Sequence, residues 1–184
     1  VLRLLLAMER PTSGQLFIAG QDLARISMAQ IPFLRRQIGV VFQNHQLLFD
    51  RSVFANVALP LQILGLGKGE INRRVMMALE RVSLKEKADD FPSNLSTGQQ
   101  QRVGIAQAII HKPALVVLDE PTNGLDPNQI LEVRHLIREI AEERTVILST
   151  HILSEVQAVC DYIRMVEQGQ VIFSGTVDEF DNYI

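Results

Sequence analysis

An apolar strand that ends in two adjacent carboxylates constrains this chain most. Residues 114–120 read Ala-Leu-Val-Val-Leu-Asp-Glu, a run typical of a strand buried on both faces of a sheet. Because unpaired charge is costly beside such a strand, Asp119 and Glu120 need a cation or hydrogen-bonding partners. The pattern predicts an α/β core with a functional edge at this point. For these residues alone, an acidic pair that caps the next turn is the alternative interpretation.

Strands and helices alternate around that segment. The sequence predicts strands near 15–19, 38–42, 114–118, 145–149, 162–166 and 170–174. A strand, helix, strand order implies parallel pairing with right-handed crossovers, and open sheets of this kind bind ligands at the carboxyl ends of their strands. Gln43, Asp119, Glu120 and His151 each follow such a strand, so we expect them at one edge of the sheet.

Residues 45–111 interrupt this order with a helical pattern. The segment from Val53 to Leu64 is strongly apolar, and apolar residues recur farther on at the spacing of one helix face. A chain of 184 residues is long enough for one substantial domain. We therefore expect a single domain, 1–184, in which 1–44 and 112–184 form the α/β core and 45–111 form a helical subdomain.

A polar turn opens the last helix of that subdomain. Ser96, Gly98 and Gln99 supply a hydroxyl and several amides at a helix start, where the unpaired N–H groups and the helix dipole both favour an anion. Taken alone, such a turn is most often a helix cap. Its occurrence ahead of the acidic pair favours phosphate binding.

The acidic pair and one histidine complete the predicted chemistry. Mg²⁺ needs only one or two protein carboxylates besides phosphate oxygens and water, so Asp119 is the expected metal ligand. Glu120 is then placed to orient or deprotonate an attacking water. His151 follows an apolar strand, and its ring N–H is expected to reach the terminal phosphate of a nucleotide; a satisfied buried histidine is the alternative. The other histidines, His45, His111 and His135, are predicted to be surface or packing residues.

Charge and composition exclude several functions. The formal net charge is -3, and Lys and Arg are dispersed, so no nucleic-acid partner is expected. The lone Cys160 has no internal partner for a disulfide and is predicted to be a reduced core thiol, which points to the cytosol. No apolar run approaches the roughly 18 to 20 residues that span a bilayer.

Together these motifs resemble the nucleotide-binding ATPase domain of ABC transporters over almost the whole chain. The resemblance rests on five segments in the family order: Gln43 is similar to the Q-loop, Leu95-Ser96-Thr97-Gly98-Gln99 to the signature, Leu118-Asp119-Glu120 to the end of the Walker B strand, Asn123-Gly124-Leu125-Asp126 to the D-loop, and His151 to the switch histidine.

The resemblance implies a P-loop NTPase-type fold, with ATP and Mg²⁺ as cofactors. It implies that two such subunits, as a homodimer or heterodimer, pair head to tail. Ser96, Gly98 and Gln99 then contact the partner's nucleotide, and Asp126 couples the two sites. Gln43, Asp119, Glu120 and His151 serve the chain's own nucleotide, with Gln43 and Asp119 on the metal. The remaining implied partner is an integral membrane permease or an FtsX-like subunit at the cytoplasmic face of the membrane.

The sequence departs from the family pattern in two places. Thr97 stands where the signature commonly has glycine. Nothing matches G-x-x-x-x-G-K-[ST], the phosphate-binding Walker A loop, and Gly67-Lys68-Gly69 lacks its spacing and hydroxyl. We expect that the N-terminal strands and this loop are missing from the front, and that the chain as given is inactive. A non-hydrolysing fragment or degenerate subunit that lends its signature to a partner ATPase is the alternative.

Subfamily features differ between the two halves. The part through Lys112 resembles the cell-division ATPase of the FtsE type and its lipoprotein-release relatives. The part from Asp119 to Phe180 resembles the ATPases of ABC-2 exporters and gliding-motility systems. The transported substrate is left open by this comparison.

Overall fold

The computed structural model describes residues 2–18, 20–44 and 46–183. Within these ranges the helices are α1 (Leu2–Leu5), α2 (Ile31–Arg35), α3 (Val53–Ile63), α4 (Lys68–Arg81), α5 (Thr97–Ile109), α6 (Pro127–Ala141), α7 (Leu153–Val159) and α8 (Val177–Asp181). The strands are β1 (Phe17–Ile18), β2 (Gln21–Asp22), β3 (Ile38–Val41), β4 (Leu115–Asp119), β5 (Thr145–Ser149), β6 (Tyr162–Glu167) and β7 (Gln170–Thr176).

A parallel sheet with the strand order β3-β4-β5 forms the centre of the fold. Its middle strand, β4, is the apolar run that the sequence singled out, and Val116, Val117 and Leu118 are fully buried there. The register pairs Val41 with Leu118 and Asp119 with Ser149, so the three strands end at the same edge. The predicted α/β class with a parallel sheet is confirmed.

Two antiparallel hairpins flank this sheet in sequence. β1 pairs with β2, and β6 pairs with β7 through a register irregularity between Met165 and Val166. The strand predicted over 15–19 is shorter than expected, because only Phe17–Ile18 pairs; Ala19 lies outside the described residues. The prediction omitted β2, since two residues are too few to show a periodicity.

The helices between β3 and β4 pack as a unit against the sheet. α3, α4 and α5 share one apolar cluster with β4 and α6, and its fully buried members include Val57, Leu79 and Val103. The approach of α5 to the sheet is very close at Gly39. A Cβ added at that glycine would collide with the backbone carbonyl oxygen of Ala108. Glycine at this position of β3 therefore sets the distance between sheet and helix.

A buried amide fixes the segment that enters α3. The Asn56 side chain is fully buried, and its Oδ1 accepts the N–H of Leu48 at 2.8 Å. Its Nδ2 donates to the carbonyl oxygens of Leu48, Arg51 and Ser52 at 2.9, 3.2 and 3.0 Å. This one side chain therefore satisfies the backbone of a loop that has no regular secondary structure.

The helices of the described ranges are too short and too polar for a membrane-spanning segment to be among them.

Candidate functional site

Asp119 occupies the carboxyl end of the middle strand. It is the last residue of β4 and is paired with Ser149, the last residue of β5. The Ser149 hydroxyl donates a hydrogen bond to Asp119 Oδ1. This contact orients the carboxylate while leaving its other oxygen free for a further ligand.

Glu120 turns away from the strand through an uncommon backbone conformation. Its φ is +48°, in the left-handed region, and its N–H donates to the carbonyl oxygen of Ser149 at 2.9 Å. A non-glycine residue held there costs free energy, and such conformations cluster at functional sites. The bend carries the Glu120 side chain toward the end of the neighbouring strand.

The carboxylate of Glu120 meets the imidazole of His151. Glu120 Oε1 lies 2.9 Å from His151 Nδ1, and the two side chains are 21% and 71% exposed. The hydrogen bond and the negative charge of Glu120 raise the pKa of His151 above its usual value. The pair thus favours the cationic imidazole. In that form Nε2 also carries an N–H, which takes no part in the contact with Glu120.

Gln43 lies at the same edge of the sheet. It follows the end of β3 by two residues, next to the register position where Val41 faces Leu118. Its side chain is exposed. All four residues predicted for the chain's own nucleotide, Gln43, Asp119, Glu120 and His151, are therefore placed at the carboxyl ends of three adjacent strands.

The signature turn forms the start of α5. Ser96 is the N-cap: its hydroxyl oxygen accepts the Gln99 N–H at 3.3 Å, and Gln99 Oε1 accepts the Ser96 N–H at 2.9 Å. This reciprocal cap leaves the Ser96 O–H available as a donor, and the first amides of the helix have no intrahelical partner. Ser96 and Thr97 are exposed, whereas Gly98 is buried.

Gly98 is buried because the first turn of α6 packs on it. A Cβ added at Gly98 would lie 2.6 Å from Gln129 Cδ. Gln129 belongs to a second reciprocal cap, in which Asp126 Oδ1 accepts the amides of Asn128 and Gln129, both at 3.0 Å. The signature turn and the segment that carries Asp126 are therefore direct neighbours within one chain.

The sequence patterns did not identify four polar residues of this region: Thr122, Ser149, Thr150 and Glu155. Glu155 is 2% exposed and accepts hydrogen bonds from the hydroxyls of Thr122 and Thr150. Acidic residues are common in the first turn of a helix, where the dipole favours them, so the sequence alone does not single out Glu155. Only the burial distinguishes this carboxylate, and no sequence periodicity encodes it.

The remaining histidines and the cysteine lie apart from this edge. His135 is exposed and contacts Glu139 at 3.5 Å on the surface of α6. His111 is half-buried, and desolvation, aided by the charge of Arg144, lowers its pKa. Cys160 is half-buried at the end of α7, and desolvation raises the pKa of its thiol. The prediction for His45 falls outside the described residues.

The donors at the sheet edge suit a hard cation that keeps its water. Within 2–18, 20–44 and 46–183, no three His, Cys, Asp or Glu side chains form a closed metal cage. The edge instead offers the Asp119 carboxylate, the Ser149 hydroxyl and the Gln43 amide, all oxygen donors. Magnesium is usually bound in this way, by one or two protein groups together with phosphate oxygens and water.

A family model and two curated relatives match this chain. The family model described as "ABC transporter" matches residues 1–123. The methionine import ATP-binding protein MetN 3 of Oceanobacillus iheyensis is 40% identical over 185 residues, which cover 100% of this chain and 54% of that protein. The cell division ATP-binding protein FtsE of Escherichia coli K12 is 46% identical over 152 residues, which cover 82% of this chain and 68% of FtsE. The chain thus spans about half to two thirds of these relatives.

Two solved structures share the fold. A dimeric post-hydrolysis state of an ATP-binding cassette bound to ADP and Pi superimposes with a TM-score of 0.86 at 27% identity, over 96% of this chain and 78% of that one. The structure of cbiO1 from Clostridium perfringens, part of the ABC transporter complex cbiONQ, gives 0.89 at 32% identity, over 98% and 73%.

The sheet and the helices around it have the fold of ATP-binding cassette domains. The chain belongs to the ABC transporter family. The resemblance drawn from the five sequence motifs is confirmed.

Proposed function

We propose that this chain is part of an ATP-hydrolysing subunit that drives a membrane complex. The observation that carries the proposal is the 2.9 Å contact between Glu120 and His151 beside Asp119, at the end of the middle strand. An acid, a base and a metal-type carboxylate at one edge are the groups that phosphoanhydride hydrolysis needs. We assign residues 45–111 as the helical subdomain and the rest as the α/β core of one domain.

Each residue of the edge has a distinct role in this proposal. Asp119 and Gln43 hold Mg²⁺, which, when bound, neutralises phosphate charge. Glu120 orients the attacking water and accepts its proton. Glu120 raises the pKa of His151 and so favours its cationic form. In that form His151 donates from Nε2 to the terminal phosphate, since Nδ1 faces the carboxylate.

Replacement of the proposed base tests this assignment. In a form of the protein that carries a phosphate-binding loop, Glu120→Gln should bind ATP and lower kcat by about 10²- to 10⁴-fold, the usual contribution of a general base. Glu86→Gln is the matched control, since Glu86 is an exposed glutamate in the short 3₁₀ helix Lys85–Lys87. Turnover of Glu120→Gln at the wild-type rate rules out Glu120 as the base.

The signature turn is proposed to serve a second ATPase subunit. Ser96, Gly98 and Gln99 then contact the nucleotide of the partner, and Asp126 lies at the interface. The unpaired amides and free hydroxyl at the start of α5 support this role, since they form an anion site that the chain's own acids do not share. Ser96→Ala should weaken ATP-dependent dimerisation while leaving the fold intact, as measured by sedimentation.

A groove between α2, β3 and α3 is the proposed contact with the membrane subunit. It encloses about 380 Å³ and is lined by apolar side chains, including Leu59, Ile63 and Leu64, with Arg36 at its rim. The proposed occupant is an amphipathic cytoplasmic helix of an integral membrane subunit, with an acidic residue near Arg36. The relative cbiO1 is itself part of a transporter complex.

Charge substitution tests this groove. Ile63→Glu should abolish copurification with the membrane subunit and leave ATPase activity unchanged. Met77→Glu is the control, because Met77 on α4 is as exposed as Ile63, 57% against 56%, but does not line the groove. Unchanged complex formation by Ile63→Glu contradicts the docking proposal.

A second candidate function rests on one sequence observation. The 184 residues contain no G-x-x-x-x-G-K-[ST] loop, which normally supplies a large share of the ATP contacts. In this candidate the chain only lends its signature turn to a competent ATPase. Measurement of ATP binding to the 184-residue chain separates the two, since tight Mg²⁺-dependent binding contradicts the second candidate.

A further inference from the structure

Glu155 is a buried charge that the proposed chemistry does not use. Among the residues that the structure describes, it is the one charged side chain in the buried core, with 2% of its surface exposed. A carboxylate in such a position is strongly disfavoured unless hydrogen bonds replace its lost hydration. Its partners therefore show what the burial achieves.

Both carboxylate oxygens of Glu155 are occupied by threonine hydroxyls from different segments. Thr122 donates to Oε1. Thr150 donates to Oε2 at 2.9 Å, and the Thr150 hydroxyl oxygen in turn accepts the N–H of Ile152 at 3.1 Å. The carboxylate thus connects two loops and fixes a backbone amide of one of them.

These loops carry the two reacting side chains of the site. Thr122 lies two residues after Glu120, and Thr150 lies immediately before His151. His151 is 71% exposed at its contact with Glu120, and an ion pair screened by solvent contributes little free energy. The pairing of β4 with β5 and the bond from the Glu120 N–H to the Ser149 carbonyl oxygen join the strand ends themselves. The Glu155 carboxylate adds a buried side-chain connection between the residues that follow those ends.

Capping of its own helix does not explain the contacts of Glu155. An acidic residue in the first turn of a helix normally faces the free amides of that helix. Here α7 has seven residues, and both oxygens face hydroxyls outside it. The side chain is directed to the sheet edge rather than to its own helix.

We propose that Glu155 is a positioning residue that joins the loop after β4 to the loop after β5 and thereby sets the separation of Glu120 and His151. The structural part of this inference stands on the described contacts alone. Its catalytic consequence rests on the proposed ATPase function, so the experiment has one arm for each.

The structural arm uses Thr122, which lies outside the histidine loop and whose hydroxyl donates to Glu155. In Thr122→Val, the Ile152 amide should exchange with solvent at least about fivefold faster, because the carboxylate that holds Thr150 has lost its other anchor. Thr122→Ser keeps the hydroxyl and should restore the wild-type rate. Amides of α3, such as that of Val57, report any global loss of stability and should not change. An unchanged Ile152 rate in folded Thr122→Val overturns the proposal.

The catalytic arm uses a form of the protein that carries a phosphate-binding loop. Thr122→Val and Glu155→Gln should each lower kcat by at least about tenfold with little change in KM for ATP, and Thr122→Ser should restore kcat. Equal losses in the Val and Ser variants contradict a positioning role. If the wild type does not hydrolyse ATP, the proposed function fails, and the exchange result stands by itself. If Thr122→Val does not fold, Thr122→Ala removes the same hydroxyl from Glu155 and provides the same comparison with Thr122→Ser.

Discussion

The effect of a single polar side chain in this protein depends on whether the side chain is exposed or buried. The pair of Glu120 and His151 is proposed to act through its chemistry, because solvent at the largely exposed His151 screens its contribution to stability. The buried side chains of Asn56 and Glu155 act through geometry, since each has to keep its partners in place to be tolerated. The expected effects of substitution follow this division.

The His151 ring should titrate above its usual pKa of about 6.5. Because Glu120 stabilises the cationic form, Glu120→Gln should shift the midpoint downward, as followed by NMR of the ring protons. The raised pKa also means that this contact stabilises the fold fully below about pH 6.5 and that the contribution is lost as pH rises through the folded-state pKa. An identical midpoint in wild type and variant contradicts the pairing.

Asn56→Ala should destabilise the protein strongly. It removes four hydrogen bonds and leaves buried backbone groups near Leu48 unsatisfied, which predicts a loss of about 2–4 kcal/mol in the free energy of unfolding. Urea denaturation measures it. Gln62→Ala, at an exposed position of the same helix, should change stability by less than about 0.5 kcal/mol. Equal losses in the two variants contradict the role given to Asn56.

At the scale of elements, the contact between β3 and α5 depends on the absence of a side chain at Gly39. Gly39→Ala places that methyl against the backbone at Ala108, which cannot move without displacing α5. We expect a loss of about 1–3 kcal/mol in the free energy of unfolding. Gly69→Ala is the control: nothing lies within 4 Å of its added Cβ, and Gly→Ala at this helical position should stabilise by about 0.4–1 kcal/mol through the unfolded state.

The sequence predicted the elements whose periodicity is long and the residues that end buried strands. The run through Leu118 identified β4, and its end located Asp119 and Glu120, because parallel strands share one edge. The sequence did not predict β2, which is too short for a pattern, or Glu155, whose role depends on a burial that only the tertiary fold creates. Local sequence patterns indicate where a strand ends. They do not indicate which buried side chains, such as that of Glu155, contact one another in the folded protein.

At the scale of the whole molecule, one edge of the central sheet is incompletely covered. β5 is the last strand in the order β3-β4-β5 of the described residues, and its apolar side chains Val146, Ile147 and Leu148 are only partly buried. On the β6–β7 hairpin, Val171 and Ile172 are exposed. Edges and apolar surfaces of this kind promote association between chains.

The 184-residue chain should therefore self-associate in a concentration-dependent manner, as measured by sedimentation velocity. Val171→Lys should reduce the association, because it places a charge on the exposed hairpin. Met77→Lys tests whether any added charge has this effect, since Met77 is 57% exposed and Val171 58%. Equal reductions by the two variants contradict the role of the hairpin.

The contact of Gly98 with Gln129 has a mechanical consequence. The start of α5, proposed to face the nucleotide of a partner, and the start of α6, proposed to lie at the subunit interface, are in contact through the side chain of Gln129, which packs on Gly98. We expect that a tilt of the first turn of α5 would displace Gln129 and with it the first turn of α6. A ligand bound at the start of α5 would therefore be separated from the start of α6 by only one side-chain amide group, that of Gln129.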